Sequence, residues 1–351
     1  MADRDDDSYR LLAGLPFAAM TVVAVVDVTA GPGVGFLPLV SLGPAFASLV
    51  GGMRRTALIG LLALALCLVL AVFNGQLGSV RGYTAILSVA GVSAAGLAAT
   101  AVRQRHEAEL ANVRSIAEVA QRVLLRPVPR SAGHLRVAVS YTSAVAEARI
   151  GGDLYEVVTS PSGVRVIVGD VQGKGLEAVE TAAVVLAAFR EAAYDEPDLT
   201  AVSARLERSI NRHMTEERFV TAVLAETHDD RSVTLLNHGH PSPLVVRADG
   251  TAHLAEPPET APPLGMGFDL KPPEPYGLSL APGDQMLLYT DGVAEARDPD
   301  DRFYPLVRRA FLLREASPDT GLEALRRDLV THVGGPLRDD AAMLLLRYRV
   351  G

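Results

Sequence analysis

In VRVIVGDVQGKGLEA, residues 164–178, an apolar β-branched run stops at Asp170, a glycine-bearing turn follows, and an apolar helical run opens at Leu176. Residues 164–170 carry the composition of a buried strand. On either side of it, runs at 135–141, 154–159, 286–290 and 342–348 read as further strands, and 219–244 as strands joined by a turn. Residues 176–193, 199–214 and 322–331 read as helices. Strands arrive in runs, with helices between the runs, so the pattern predicts a layered α+β sandwich rather than an alternating parallel sheet.

Acidic residues recur where those strands begin or end. Asp153 sits in IGGDLYE, Asp170 ends VRVIVGD, Asp291 follows MLLYT, and Asp339 and Asp340 precede AAMLLLRYR. Asp and Gly are ordinary turn residues, which accounts for any one of these positions alone. It accounts less well for carboxylates at four apolar strands, whose ends converge at one edge of a sandwich. Two carboxylates about 4 Å apart repel by roughly 4 kcal/mol at an effective dielectric near 20. Hard divalent cations in the gap make such crowding tolerable, and an oxygen-only donor set points to magnesium or manganese rather than zinc. Two ions bridged by one carboxylate would form a hydrolytic centre that needs no protein nucleophile.

Composition bounds the rest. The 351-residue chain is 49% hydrophobic, and its mean hydropathy is +0.22. The excess lies before Arg103, in apolar stretches at 11–30, 34–50, 56–73 and 83–102. Each approaches the roughly 20 residues that cross a bilayer core, so residues 1–102 are expected to form four spans. The second is short and contains Pro38 and Pro44. Arg4, Arg10, Arg54, Arg55, Arg103 and Arg105 fall in alternate loops. That bias puts the N-terminus and everything after Arg103 in the cytoplasm, and the protein in the cell membrane. Asp27, near the outer end of the first span, reads as an interfacial carboxylate or part of a sensing site. A net charge of −8 with no basic run argues against a nucleic-acid binder. Cys67 is the only cysteine and sits in an apolar stretch, which excludes disulfides, thiolate zinc sites and a cysteine nucleophile in the soluble part.

Residues 103–130 read as a helical linker ending at Pro127 and Pro129. Val113, Ile116, Ala120 and Val123 repeat at 3–4–3 spacing, which suits a homodimeric seam or packing on the chain's own domain. Residues 131–351 are expected to form the domain that carries these carboxylates.

In order, LLRPVP, IGGDLYEV, VGDVQGKGLEA, FVTAV, NHGHPSPL, APGDQMLLYTDGVAEAR and RDDAAMLLL resemble the motifs of the SpoIIE-like bacterial branch of the PPM-type (type 2C) serine/threonine phosphatases. The resemblance runs from about Leu124 to the C-terminus. It implies an α-β-β-α sandwich, two Mn²⁺ or Mg²⁺ ions, and a phosphoserine or phosphothreonine protein substrate, with a phosphorylated STAS-type anti-sigma-factor antagonist as the expected class. It also implies roles residue by residue. Asp170 corresponds to the bridging ligand, completed by the Val171 carbonyl. Asp153, Asp291 and Asp339 correspond to the other ligands, with Asp340 as the alternative to Asp339. Gly173 and Gly175 would let the backbone turn beside the metals, and Lys174 reads as a solvated loop residue. Arg149 is a candidate phosphate contact. His240 corresponds to the family's Asn-Ala-Gly-His histidine, as a general acid or a hydrogen-bonded strand-end residue, and Thr221 reads as a packing residue. His238 stands where Ala is usual. Ala341 and Ala342 stand where a Thr is common, a change expected to weaken support of Asp339.

Other readings fit less. GGD lacks the acidic-aromatic pair of a nucleotide cyclase, His106-Glu107 has no matching ATP domain downstream, and VQGKGLEA lacks the GxxxxGK[ST] spacing of a nucleotide loop. A catalytically silent membrane scaffold is the remaining alternative, and retention of the Asp residues speaks against it.

Overall fold

The computed structural model describes residues 2–30, 36–143, 152–213, 218–266 and 271–349. Arg149 lies outside them. So do the side chains of Arg4, Arg10 and the seam residues Val113, Ile116, Ala120 and Val123. The chain divides into two compact units, Met1–Asn112 and Val113–Gly351.

The first unit is helical: α1 (Ala2–Ala30), α2 (Leu42–Val50), α3 (Met53–Phe73) and α4 (Val80–Leu124), which continues into the second unit. Among the described residues, two helical segments are long and apolar enough to cross a membrane, Met53–Phe73 and Val80–Asn112. Gly14–Ala30 and Leu37–Val50 are shorter apolar helices. The expected second span is a 3₁₀ turn, Leu37–Ser41, followed by the nine residues of α2. Pro38 is the second residue of that turn and Pro44 falls in the first turn of α2, where a missing amide costs little. The buried carboxylate of Asp27 accepts a hydrogen bond from Asn74 Nδ2 at 2.7 Å. The fourth stretch and the linker as far as Leu124 form one helix, with no Gly or Pro between Leu97 and Leu124 to break it where the two meet; residues 125–130 lie beyond the helix.

The second unit contains β1 (Ser131–Ala132), β2 (Leu135–Thr142), β3 (Leu154–Ser160), β4 (Gly163–Val171), α5 (Leu176–Asp195), α6 (Leu199–His213), β5 (Val220–Thr227), β6 (Ser232–His238), β7 (Leu244–Val246), β8 (Ala252–Leu254), β9 (Tyr276–Ser279), β10 (Gln285–Tyr289), α7 (Asp291–Ala294), α8 (Leu306–Arg309), α9 (Pro318–Val333) and β11 (Ala341–Tyr348). They form two antiparallel sheets, ordered β1-β2-β11-β10-β7-β8 and β3-β4-β5-β6-β9.

Alternation along β4 shows how the layers assemble. Val164, Val166 and Val168 face the core between the sheets, with Val223, Leu235, Met286, Leu288 and Leu344. Ile167 and Val171 face the other way, into a cluster with Leu186 and Phe189 of α5 and Leu206 of α6. On the far side, Leu287 and Leu345 pack against Leu322, Leu325 and Leu329 of α9. The result is the α-β-β-α sandwich. Arg165 shares the helix-facing side of β4 and is fully buried. It is bonded to Glu226 Oε1 at 2.9 Å and to the carbonyls of Ala193, Glu196 and Pro197 where α5 ends. A buried guanidinium needs that many partners to offset its lost hydration.

Candidate metal centre

Strand register brings the first two carboxylates together. Leu154 pairs with Gly169, so Asp153 falls opposite Asp170, and the Val171 amide donates to the Gly152 carbonyl at 3.2 Å. In the other sheet Asp291 follows β10 as the first residue of α7, while Asp339 and Asp340 lead into β11, the neighbour of β10. One carboxylate oxygen from each of Asp153, Asp170 and Asp291 lies within 4.8 Å of the other two.

Ionised carboxylates at such a separation repel by roughly 3 kcal/mol per pair at an effective dielectric of about 20. The acidities show the strain. Burial, then Asp291 and Asp339, pushes Asp170 up to about 7. Burial and then Asp170 holds Asp153 well above the usual carboxylate range. Asp291 is raised by burial and by Asp339. Such a cluster takes up protons or cations. Its donors are oxygens only, and three of them converge, so the residues fit hard divalent ions.

Asp339 completes the wall of the open cavity over this cluster, whose volume is about 550 Å³. Its oxygens accept hydrogen bonds from Lys174 Nζ at 2.8 and 2.9 Å. Lys174, expected to be merely solvated, is thus an ion-pair partner of a candidate ligand. Asp340 is placed differently. It is buried and accepts from Tyr141 Oη at 2.6 Å and Ser143 Oγ at 3.3 Å. Val171 and His240 also line the cavity. The φ angles of Gly173 and Gly175, 100° and 92°, are those a side chain resists, which is what the sharp return of the chain from β4 into α5 requires. At Gly292 a Cβ would sit 1.8 Å from the Asp340 carbonyl oxygen, so only glycine lets β10 and β11 end side by side.

Two supports were not legible as such. The Thr290 hydroxyl donates to Asp153 Oδ2 at 2.9 Å and accepts from the Ala342 amide at 2.9 Å. The hydroxyl expected beside the acidic pair is therefore missing from β11, but one from the neighbouring strand end supports Asp153. His240 is a strut between the sheets. Its Nε2 faces the Tyr289 carbonyl at 3.1 Å, which only accepts, so Nε2 carries the proton and Nδ1 accepts from Thr221 Oγ1 at 3.0 Å. Burial lowers its pKa to about 4. Both ring nitrogens are occupied within the protein, which favours the hydrogen-bonded reading of this histidine over the general acid. His238, the departure from the usual Ala, is bonded through Nε2 to Ser203 Oγ of α6 at 2.9 Å. Glu295, which the motifs did not single out, also lines the cavity.

The sequence profile described as Stage II sporulation protein E (SpoIIE) matches residues 160–349, more than half of the chain. The chain belongs to the SpoIIE family. The matched segment includes Asp170, Asp291 and Asp339, while Asp153 lies just before it. A relative, protein IcfG of Synechocystis sp., is 27% identical over 123 residues, which is 34% of this chain and 18% of IcfG. Among solved structures, the SiaA-PP2C domain of Pseudomonas aeruginosa superposes with a TM-score of 0.58 at 20% identity, covering 69% of this chain and 98% of that one. The RsbU and RsbW domains of Rv1364c from Mycobacterium tuberculosis give 0.52 at 23%, covering 62% and 61%. The PP2C phosphatase domain and regulatory fragment of SpoIIE from Bacillus subtilis give 0.51 at 16%, covering 62% and 64%. These likenesses establish the fold, a PP2C-type sandwich.

Proposed function

We propose that this SpoIIE-family chain is a membrane-anchored, metal-dependent protein serine/threonine phosphatase. The observation that carries the reading is the meeting of Asp153, Asp170 and Asp291 within 4.8 Å at an open cavity walled by Asp339. Asp153, Asp170, Asp291 and Asp339, with the Val171 carbonyl, would hold two Mn²⁺ or Mg²⁺ ions, and Asp340 would buttress the site from beneath. Bound there, such ions supply charge neutralisation on phosphoryl oxygens and lower the pKa of water. The chain's own residues do the rest. Asp170, which meets both Asp153 and Asp291 within 4.8 Å, would be the ligand shared between the two ion positions. Thr290 fixes the orientation of Asp153, and His240 holds the two sheet edges at their working separation. The opening admits a phosphorylated side chain presented on a protein surface.

The anchor we propose has four spans, with the N-terminus and phosphatase domain cytoplasmic. The two long apolar helices and the arginine distribution support it. A homodimer through the linker would set the conformation of α5, which directly follows the metal loop. The guanidinium of Arg190 in α5 supports this, because it donates to the Leu124 carbonyl at the end of α4 and to Glu156 of β3. Unchanged activity in membranes after a monomerising substitution at Val113 or Ile116 would remove the linker from the account. The substrate class we favour is a phosphorylated STAS-type antagonist of an anti-sigma factor, in keeping with the RsbU and RsbW domains of the M. tuberculosis neighbour. Phosphoproteomes of wild-type and Asp170→Asn strains should differ at that substrate.

The rival is a silent scaffold. Hydrolysis of p-nitrophenyl phosphate by the full-length protein in detergent, dependent on Mn²⁺ and abolished by EDTA, decides between them. A scaffold gives none.

A further inference from the structure

A second groove, of about 240 Å³, opens directly beside the metal centre. Asp291, Glu295 and Asp339 line both spaces. The groove's apolar surface comes from Ala296, Val333 and Leu337, and two guanidinium groups complete it, Arg297 and Arg338. The two arginines differ. Arg297 is committed: it stacks 4.1 Å over the Phe303 ring and pairs with Asp301 at 2.8 Å. Arg338 is exposed, and no hydrogen bond or ion pair holds it among the described residues. It is nonetheless the residue immediately before Asp339, so its Cα lies about 3.8 Å from that of a candidate ligand. Carboxylates surround the site, yet Arg338 pairs with none of them.

Resting on the phosphatase reading, we propose that Arg338 determines substrate specificity by binding an acidic side chain close to the phosphorylated serine or threonine. A phosphorylated residue seated over the metal centre must carry its neighbours out along an adjoining surface. Extended chain advances about 3.3 Å per residue, so the first or second neighbour reaches this groove. An aliphatic portion of that neighbour fits against Ala296, Val333 and Leu337. Its carboxylate meets the planar fork of Arg338, which suits bidentate binding. Arg338 does not line the cavity over Asp153 and Asp170, so it holds the flank of the substrate rather than the phosphoryl group. The same charge offsets the acidic rim, which would otherwise repel an acidic substrate.

The test uses the full-length protein in detergent with Mn²⁺ and two phosphoserine peptides of equal length. One carries Glu at the two positions on each side of phosphoserine, and the other carries Gln there. Arg338→Ala should lower the ratio of kcat/KM for the Glu peptide to that for the Gln peptide about tenfold, through KM, as loss of a charge-assisted contact implies. Arg338→Lys should restore part of the ratio, and Arg338→Glu should invert the preference. An unchanged ratio, or an equal loss on both peptides, overturns the proposal. Binding is read independently by fluorescence anisotropy of the labelled Glu peptide on the Asp170→Asn protein, with Arg338 present or replaced by Ala. Were the wild type inert on p-nitrophenyl phosphate, the phosphatase reading alone would fall. A loss of anisotropy on replacing Arg338 would still support the groove, and no loss would refute it.

Discussion

Replacing Thr290 by Val keeps the shape of the side chain and removes one hydroxyl. That hydroxyl joins a buried carboxylate, Asp153, to a backbone amide of β11, and no water-accessible surface remains at Thr290. Losing the bond to Asp153 costs about 1 kcal/mol if the carboxyl is protonated, and the stranded Ala342 amide adds about 1–3 kcal/mol. Burial and Asp170 hold Asp153 well above the usual carboxylate range in the metal-free protein, so at pH 4 the neutral figure applies. A total near 3 kcal/mol shifts the melting midpoint of a domain this size by roughly 6–12 °C. Metal binding needs the ionised carboxylate in a fixed orientation, so the same change should weaken Mn²⁺ about 10- to 100-fold. Thr290→Ser retains the hydroxyl and should stay close to wild type on both counts. The assays are differential scanning calorimetry in EDTA and calorimetric Mn²⁺ titration. A Val variant that melts with the wild type and binds Mn²⁺ as tightly would refute the role given to Thr290.

Asp170 is raised to about 7 by burial and by its acidic neighbours. A carboxyl raised in the fold stabilises below its unfolded pKa and loses that contribution as pH climbs through 7, a loss of roughly 4 kcal/mol. In EDTA, Asp170→Asn should therefore melt above wild type at pH 8 and near it at pH 4; equal midpoints at pH 8 would contradict this. Burial lowers His238 and His240 to about 4, and each therefore lends stability that is full above 6.5 and lost as pH falls toward 4. Imidazole resonances followed by NMR should show two histidines still neutral at about pH 5.5, where unperturbed ones are charged; titration of all eight near 6.5 would count against the strut. Arg165→Met strands Glu226 in the helix-facing layer and should cost about 3–5 kcal/mol, measured as a fall in melting midpoint, whereas a shift under about 1 kcal/mol would mean the pair is dispensable.

Much of this was legible in the chain, for identifiable reasons. The β4 run and the turn after Asp170 are local, so composition alone located the strand, the bend and the start of α5 at Leu176. Asp153, Asp170 and Asp291 were legible because a carboxylate at the end of an apolar strand has a characteristic setting. Their convergence was not local, since it depends on Leu154 pairing with Gly169 and on β10 lying beside β11. Asp339 and Asp340 are chemically identical neighbours, and only the path of the chain into β11 turns one to the cavity and the other to Tyr141. Thr290 was hidden because a threonine at a strand end looks like any β-former until its partners, Asp153 and Ala342, are brought across 137 and 52 residues. In the first unit, apolar composition marked all four stretches, but composition does not set helix length, and the second stretch folds as a turn and a short helix.

Counting Mn²⁺ by calorimetry on the full-length protein, beside its Asp170→Asn variant, tests most directly whether these carboxylates form a two-ion centre. Two ions should bind per wild-type chain, and the variant should lose the tight binding of at least one of them. Equal stoichiometry and affinity in the two proteins, or no binding to either, would contradict it.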